Sequence, residues 1–305
     1  MTSHDSGRDR ADRCPGVLRP WIADDGALVR LRLIGGRLPT AALAALTEIS
    51  ATHADGSLYL TKRANVQLRA LTHQDGCVSP AFVEAVTAAG LLPSPTHELV
   101  RNVMVSPLSG RRGGQADLRP VADRYDELVR ADPELAALSA RFLVVLDDGR
   151  GDLVDRSLDL GAMAVSATEA QLRVGAHGWG EVVPIDELPE TLVALAHRFL
   201  LANRTGGGAG PRAADGTAWH VDELPDRGAS VLGTPHARDL RTHVTALPLL
   251  HGSVQQDDGR VAEHLAVPDG RLTPVLATTV LARAGAEVVV TPWRSLLLPD
   301  LEKTP

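Results

Sequence analysis

From Ala27 the run ALVRLRLIGG sets Leu28, Arg30 and Arg32 against Val29, Leu31 and Leu33, an imperfect alternation that favours a strand ending at Gly35-Gly36. A helix is expected next. Pro39 and Thr40 stand at its start, and Ala42, Leu43, Leu46 and Ile49 recur at helical spacing through AALAALTEISATHA. After Asp55-Gly56, the segment SLYLTKRANVQLRAL reads as two short strands bent at Lys62–Asn65. SPAFVEAVTAAG, residues 79–90, reads as a helix closed by Gly90. The unit is β-α-β-β.

The same pattern returns near the end of the sequence. DDGALVRLRLIGGRLPTAAL at Asp24–Leu43 aligns with DDGRVAEHLAVPDGRLTPVL at Asp257–Leu276. Each is followed by a helix, a β-run and a Thr-led bend, TKRANVQLRAL at Thr61 and TPWRSLLLPDL at Thr291. Small loop insertions account for the differences in spacing. One unit therefore occurs twice, near residues 17–71 and 246–301. Two copies of about 55 residues are too few for a solenoid, so paired half-domains closing one sheet about an internal pseudo-two-fold are expected.

Between them, a helix is expected at Val121–Ala131, an apolar strand at Arg141–Gly149, strands near Gly161–Val165 and Gln171–Val174, and a helix at Ile185–Asn203. TGGGAGPRAADG at Thr205–Gly216 lacks the Lys-Ser or Lys-Thr of a phosphate loop and reads as a linker. The expected division is a flexible tail over 1–13, a first half-domain over 14–96, a middle α/β module over 97–204, a Gly-rich linker over 205–239 and a second half-domain over 240–305. The fold class is α+β.

Composition narrows the function. A net charge of −7 and a pI near 5.9 argue against a general nucleic-acid partner, since a phosphate lattice attracts a basic surface. No apolar run reaches the roughly 20 residues of a membrane-spanning helix, and MTSHDSGRDRADR has no signal-type apolar core, so a cytoplasmic protein without a membrane partner is expected. Cys14 and Cys77, the two cysteines, cannot build a disulfide framework or a four-thiolate metal site.

Three stretches carry candidate chemistry. Alternation through the bend sends Arg63, Asn65, Gln67 and Arg69 to one face, where guanidinium and amide groups would meet a carboxylate-rich macrocycle; a solvated outer face is the alternative. In HELVRNVMVSPLSGRRGGQADLRP, Arg101 and Asn102 precede an apolar stretch, and Arg111 and Arg112 sit among glycines that permit close backbone approach; a mobile basic loop is the alternative. Arg141 heads an apolar strand that ends in Asp147-Asp148-Gly149-Arg150-Gly151-Asp152. Asp147, Asp148 and Asp152 there suit a hard cation or iron, or simply an acidic turn. No HExxH or GxSxG spacing appears, so zinc-protease and hydrolase chemistry have no support.

Together these motifs resemble the nitrite/sulfite reductase superfamily, whose members repeat a ferredoxin-like half-domain. The carriers are GGRLP at Gly35, LTKRANVQLRAL at Leu60, VRNVMVSPLSG at Val100, RFLVVLDDGRGD at Arg141 and TPWRSLLLP at Thr291. CPG at Cys14, SPLSGRRGG and DDGRGD look most like the precorrin-3B synthase branch. That resemblance implies a monooxygenase of aerobic cobalamin biosynthesis acting on a precorrin-3A-like tetrapyrrole, with dioxygen, an electron donor, a [4Fe-4S] cluster and siroheme or non-haem iron. It implies tetrapyrrole or anion contacts at Arg63 and Arg101, with Arg141 as one member of a basic pair whose second position is Leu143. The missing charge speaks against sulfite or nitrite reduction. In the family the cluster cysteines follow the second half-domain, and none stands at that place in the sequence up to Pro305. The cluster is then expected from further residues, from a separate chain, or not at all. The alternatives to the enzyme are a non-catalytic tetrapyrrole-binding or partner protein and, more distantly, a siroheme reductase fragment.

Overall fold

The computed structural model describes residues 14–205 and 218–302; the expected tail over 1–13 and most of the Gly-rich run lie outside them. The first half-domain runs β1 (Trp21–Ala23), β2 (Gly26–Leu31), β3 (Arg37–Pro39), α1 (Thr40–His53), β4 (Leu58–Leu60) and β5 (Val66–Leu71). A short hairpin, β6 (His73–Gln74) and β7 (Cys77–Val78), leads into α2 (Pro80–Ala88). In β2, Ala27, Val29 and Leu31 are buried while Leu28 and Arg30 are half-exposed, so the alternation read from the sequence holds. Helix α1 buries Ala42, Leu43, Leu46 and Ile49, its i, i+3, i+4 stripe. Ser79 caps α2, its hydroxyl accepting from the Phe82 N–H.

In the middle module, β8 (Val103–Val105), β9 (Val144–Asp147) and β10 (Leu160–Ala164) are parallel, and β11 (Glu169–Val174) and β12 (Gly178–Pro184) are antiparallel. The sheet order is β12-β11-β10-β9-β8. Helices α3 (Arg119–Ala131) and α4 (Leu188–Thr205) pack together over one face, where Phe142 and Phe199 meet at 5.0 Å between ring centroids. Of the stretch read as a linker, residues 218–239 do not run as a tether. They include the short helix α5 (Ala229–Leu232), and Ala218, Val221, Leu224 and Val231 enter this same core.

The second half-domain repeats the first as β13 (Gly252–Gln255), β14 (Val261–Leu265), β15 (Arg271–Leu272), α6 (Pro274–Leu281), β16 (Glu287–Val290) and β17 (Leu296–Leu301). The halves do not close a single sheet as expected. They form two five-stranded sheets, β1-β2-β5-β4-β15 and β13-β14-β17-β16-β3, each borrowing its last strand from the other half. Leu38 of β3 lies opposite Val288, and Leu272 of β15 lies opposite Leu58. One hydrophobic core serves both, joining Leu38, Leu46, Leu58 and Leu68 to Leu272, Val280, Val288 and Leu298.

The crossings need glycine. Gly36 has φ +72° and Gly270 φ +69°, and both precede the exchanged strands. A Cβ on Gly36 would stand 2.1 Å from the Val290 carbonyl oxygen, whereas one on Gly270 would stand 3.2 Å from that of Leu60. Among the described residues, no helix is long and apolar enough to cross a membrane.

Gly36→Ala is therefore expected to destabilise the protein by about 3 kcal/mol or more, the sum of left-handed strain and a backbone collision. Gly270→Ala costs less because its neighbours can give way. Urea melts of the two variants check the order; equal midpoints would contradict it.

Candidate functional site

The first half-domain presents its chemistry on the sheet face away from the shared core. Arg30 and Gln67 are paired across β2 and β5, and the Arg30 Nη2 donates to the Gln67 Oε1 at 3.3 Å. Arg69 lies two residues further along the same strand face. The guanidinium groups of Arg69 and Arg271 approach the Tyr59 ring at 5.5 and 5.8 Å from its centroid. Arg69 also pairs with Asp25 at 3.4 Å.

Arg63 stands in the turn between β4 and β5. Thr61 shapes that turn, its hydroxyl accepting from the N–H groups of Arg63 and Asn65 at 3.3 and 3.1 Å. Arg63 Nη1 reaches across to the Arg141 carbonyl at 2.9 Å, linking the half-domain to the middle module. Asn65 does not share the face of Gln67 and Arg69. Ala64 at φ +57° interrupts the alternation, and Asn65 turns inward, 1% exposed, with its Oδ1 accepting from the Leu33 N–H at 2.9 Å. Its amide holds the strand end.

Beyond the end of β2 lies a cleft of about 260 Å³, lined among others by Arg32, Ile34, Arg37, Gly90, Arg101 and Glu287. Arg32 is 4% exposed. Its Nη1 donates to the carbonyls of Pro15 and Arg30 at 3.1 and 3.3 Å, while Nε and Nη2 are buried without a partner. Burial, and then the neighbouring Arg30 with a smaller push from Arg63, bring its pKa down to about 10. Arg37 beside it pairs with Asp123 through Nη2, but its Nε is likewise buried and unpartnered. Glu98 offsets part of that charge from a distance, but among the described residues no carboxylate pairs with the Arg32 guanidinium directly, and an incoming anion would lower the remaining cost. Sequence reading passed over Arg32 as an alternation residue. The available signal was a cation inside VRLRL, directly before the glycine crossing.

Other sequence candidates are occupied by the protein itself. Arg101 makes a two-point pair with Asp126, Nε to Oδ1 at 2.6 Å and Nη2 to Oδ2 at 3.0 Å, with both side chains 8% exposed. Asn102 donates to the Leu99 and Ala140 carbonyls. Arg111 is buried and bridges to Glu287 and Asp300, tying the middle module to the second half-domain. Arg112 lies 3.6 Å from Asp257 at the surface. Arg141 is exposed and lies over the Trp219 ring at 4.7 Å.

The three aspartates do come together, with carboxylate oxygens within 4.8 Å of one another. Their donor set fits a turn better than a cation. Asp147 accepts from the N–H groups of Gly149, Gly151 and Leu153, and both glycines have positive φ. Asp148 accepts from the N–H and guanidinium of Arg150, and Asp152 from the Ser106 hydroxyl at 2.6 Å. Burial pushes Asp148 up to about 6; burial and the adjacent Asp147 push Asp152 up to about 7. This is the acidic-turn alternative, closed by its own backbone.

The corresponding face of the second sheet is covered. Leu108 from the middle module and Leu249 and Val254 pack onto Ala262, Val289 and Leu297. His264, at the position of Arg30, is 1% exposed and meets the Ser295 hydroxyl at 2.6 Å, and Trp293 stands at the position of Arg63. Only the first copy offers an open basic face.

Residues 23–75 match the family model described as the nitrite/sulfite reductase ferredoxin-like half domain. The structure of the Mycobacterium tuberculosis NirA protein superposes with a TM-score of 0.72 at 20% identity, covering 95% of this chain and 60% of that one. The chain thus shares the fold of the NirA structure, and residues 23–75 are similar to the ferredoxin-like half domain of nitrite and sulfite reductases. By sequence, a precorrin-3B synthase from Sinorhizobium sp. is 28% identical over 141 residues, 46% of this chain and 29% of that protein. The shared segment is less than a third of that relative's length.

Two measurements separate structural from ligand-facing groups. Arg101→Ala should cost about 2–3 kcal/mol, because buried Asp126 loses a two-point partner and keeps Arg130 at 2.9 Å, whereas Arg63→Ala, which removes one exposed hydrogen bond to the Arg141 carbonyl, should stay within about 1 kcal/mol. Chemical denaturation reads both. Asp152→Asn tests the turn: its folded pKa of about 7 lies above the unfolded value of about 4, so the stability it contributes is fully present below pH 4 and lost as pH rises through 7. Asp152→Asn should melt higher than the wild type at pH 8, with the advantage shrinking as pH falls and vanishing only near pH 4. A pH-independent difference would contradict the assignment.

Proposed function

We propose that this protein is an oxidoreductase of the precorrin-3B synthase type that binds a polycarboxylate tetrapyrrole, precorrin-3A or a close analogue, against the first half-domain. The carrying observation is Arg32, buried with two unpartnered nitrogens beside Arg30 and Arg63. The sequence match to a precorrin-3B synthase and the reductase fold support the same reading. The cleft at Arg32 is too small for a macrocycle and suits one carboxylate arm. The macrocycle itself would lie on the open face of Arg30, Gln67 and Arg69, with Arg63 at its edge. There the guanidinium groups orient its carboxylates through charge-assisted hydrogen bonds.

Four thiolates cannot come from Cys14 and Cys77, and the three aspartates already hold a turn together, so among the described residues no set fits a [4Fe-4S] cluster or a non-haem iron. The reading therefore includes a cluster-bearing partner segment or chain and an electron donor. The same open basic face supports a second reading, a non-catalytic tetrapyrrole-binding protein in which that face serves delivery or partner recognition.

The test is binding first, then turnover. Uroporphyrin, an octacarboxylate porphyrin, should bind the wild-type protein in a salt-sensitive manner, and Arg30→Ala with Arg63→Ala should weaken it by about tenfold or more. Absence of binding refutes both readings. Anaerobic purification with iron and sulfide analysis, followed by a precorrin-3A oxygenation assay with reductant, separates them: product supports the enzyme, and binding without product supports the carrier.

A further inference from the structure

Cross-strand pairing sets four side chains of the first sheet in one line. Arg30 of β2 stands opposite Gln67 of β5, Gln67 opposite Tyr59 of β4, and Tyr59 opposite Arg271 of β15. Residues directly opposite each other share a face, so the row crosses the open side of the sheet from one guanidinium to another. At about 4.8 Å per strand, three spacings separate its ends by about 14 Å. Arg271 belongs to the second half-domain and reaches this face only because β15 is lent to the first sheet. Two contacts hold it there. Its Nε donates to the Ser57 hydroxyl at 3.0 Å, and its guanidinium lies 5.8 Å from the centre of the Tyr59 ring. The Tyr59 hydroxyl donates to Asp55, which fixes the ring that Arg69 and Arg271 share. Arg69 is balanced by Asp25 at 3.4 Å, whereas Arg271 is exposed and forms no ion pair among the described residues.

We propose that Arg271 is a specificity-determining residue of this face: with Arg30 at the other end of the row, it selects macrocycles carrying carboxylates on opposite edges over those carrying them on one. This rests on the reading of the first half-domain as the tetrapyrrole site and adds to it a contribution from the second. A carboxylate on one edge of the ligand accepts from Arg30, and one on the opposite edge accepts from the terminal nitrogens of Arg271, whose Nε is already held by Ser57. A guanidinium positioned in advance loses less rotamer freedom on binding. Gln67 and Tyr59 lie between the two ends. Burial and the Asp55 hydrogen bond push the Tyr59 pKa up, so the middle of the row stays uncharged and suits the apolar ring system. A small anion cannot bridge the row and gains from one end alone.

Two porphyrins test this on the intact protein by fluorescence titration: uroporphyrin, with carboxylates around the whole ring, and haematoporphyrin, whose two propionates share one edge. Arg271→Ala should weaken uroporphyrin about tenfold and haematoporphyrin by no more than about twofold. The same variant should flatten the salt dependence of uroporphyrin binding, and Arg271→Lys should restore that dependence by returning the charge. Should Arg271→Ala fail to fold, Arg271→Gln, which keeps a polar side chain on the exchanged strand, carries the same expectation. An unchanged uroporphyrin affinity, or equal losses for the two porphyrins, overturns the role of Arg271 while wild-type binding leaves the tetrapyrrole reading standing. Failure of the wild type to bind either porphyrin overturns both.

Discussion

The mutual lending of β3 and β15 is the constraint from which the rest of the architecture follows. Each is only two or three residues long, too short to be stable alone, yet each completes a sheet whose other strands come from the opposite half. Leu38 and Leu272 carry their side chains into the same core, so neither half can bury its apolar face without the other. Gly36 is at the tightest point, where the chain passes the Val290 carbonyl with no room for a side chain. The loop that carries Ile34, Gly35 and Arg37 to this crossing also forms one wall of the cleft, and Gly35 rests on Val105 of the middle module. The site's position is thus a by-product of how the two halves interlock.

Symmetry of backbone is not symmetry of chemistry. The second sheet's outer face is apolar and roofed by Leu108, Leu249 and Val254, and its cation positions have become His264 and Trp293. Burial holds the His264 imidazole below its ordinary pKa, which suits an interior hydrogen bond to Ser295. The first sheet keeps arginines at those positions and leaves its face open. The two copies share a scaffold and differ in the chemistry of this face.

Arginine in this acidic chain serves two purposes, and only partners tell them apart. Arg101 and Arg111 are neutralised by carboxylates and act as bolts inside the middle module and between modules. Arg32 is as deeply placed and has no carboxylate on it among the described residues. The energy of keeping that charge dry is what an anionic ligand would relieve, which links the packing of β2 to the proposed binding role.

The sequence alone determined the repeat, the helices of both halves and the alternation of β2, because local periodicity and glycine spacing are properties of neighbouring residues. It also placed Gln67 and Arg69 on a common face and brought Asp147, Asp148 and Asp152 into one turn. It could not show the two separate sheets, since strand exchange depends on partners more than two hundred residues apart. Nor could it show that Asn65 turns inward, which a single left-handed residue at Ala64 decides. Which arginines are paired with a carboxylate and which are not was decided only in three dimensions: a guanidinium reads the same in any sequence, and its partners depend on whether folding brings a carboxylate to it.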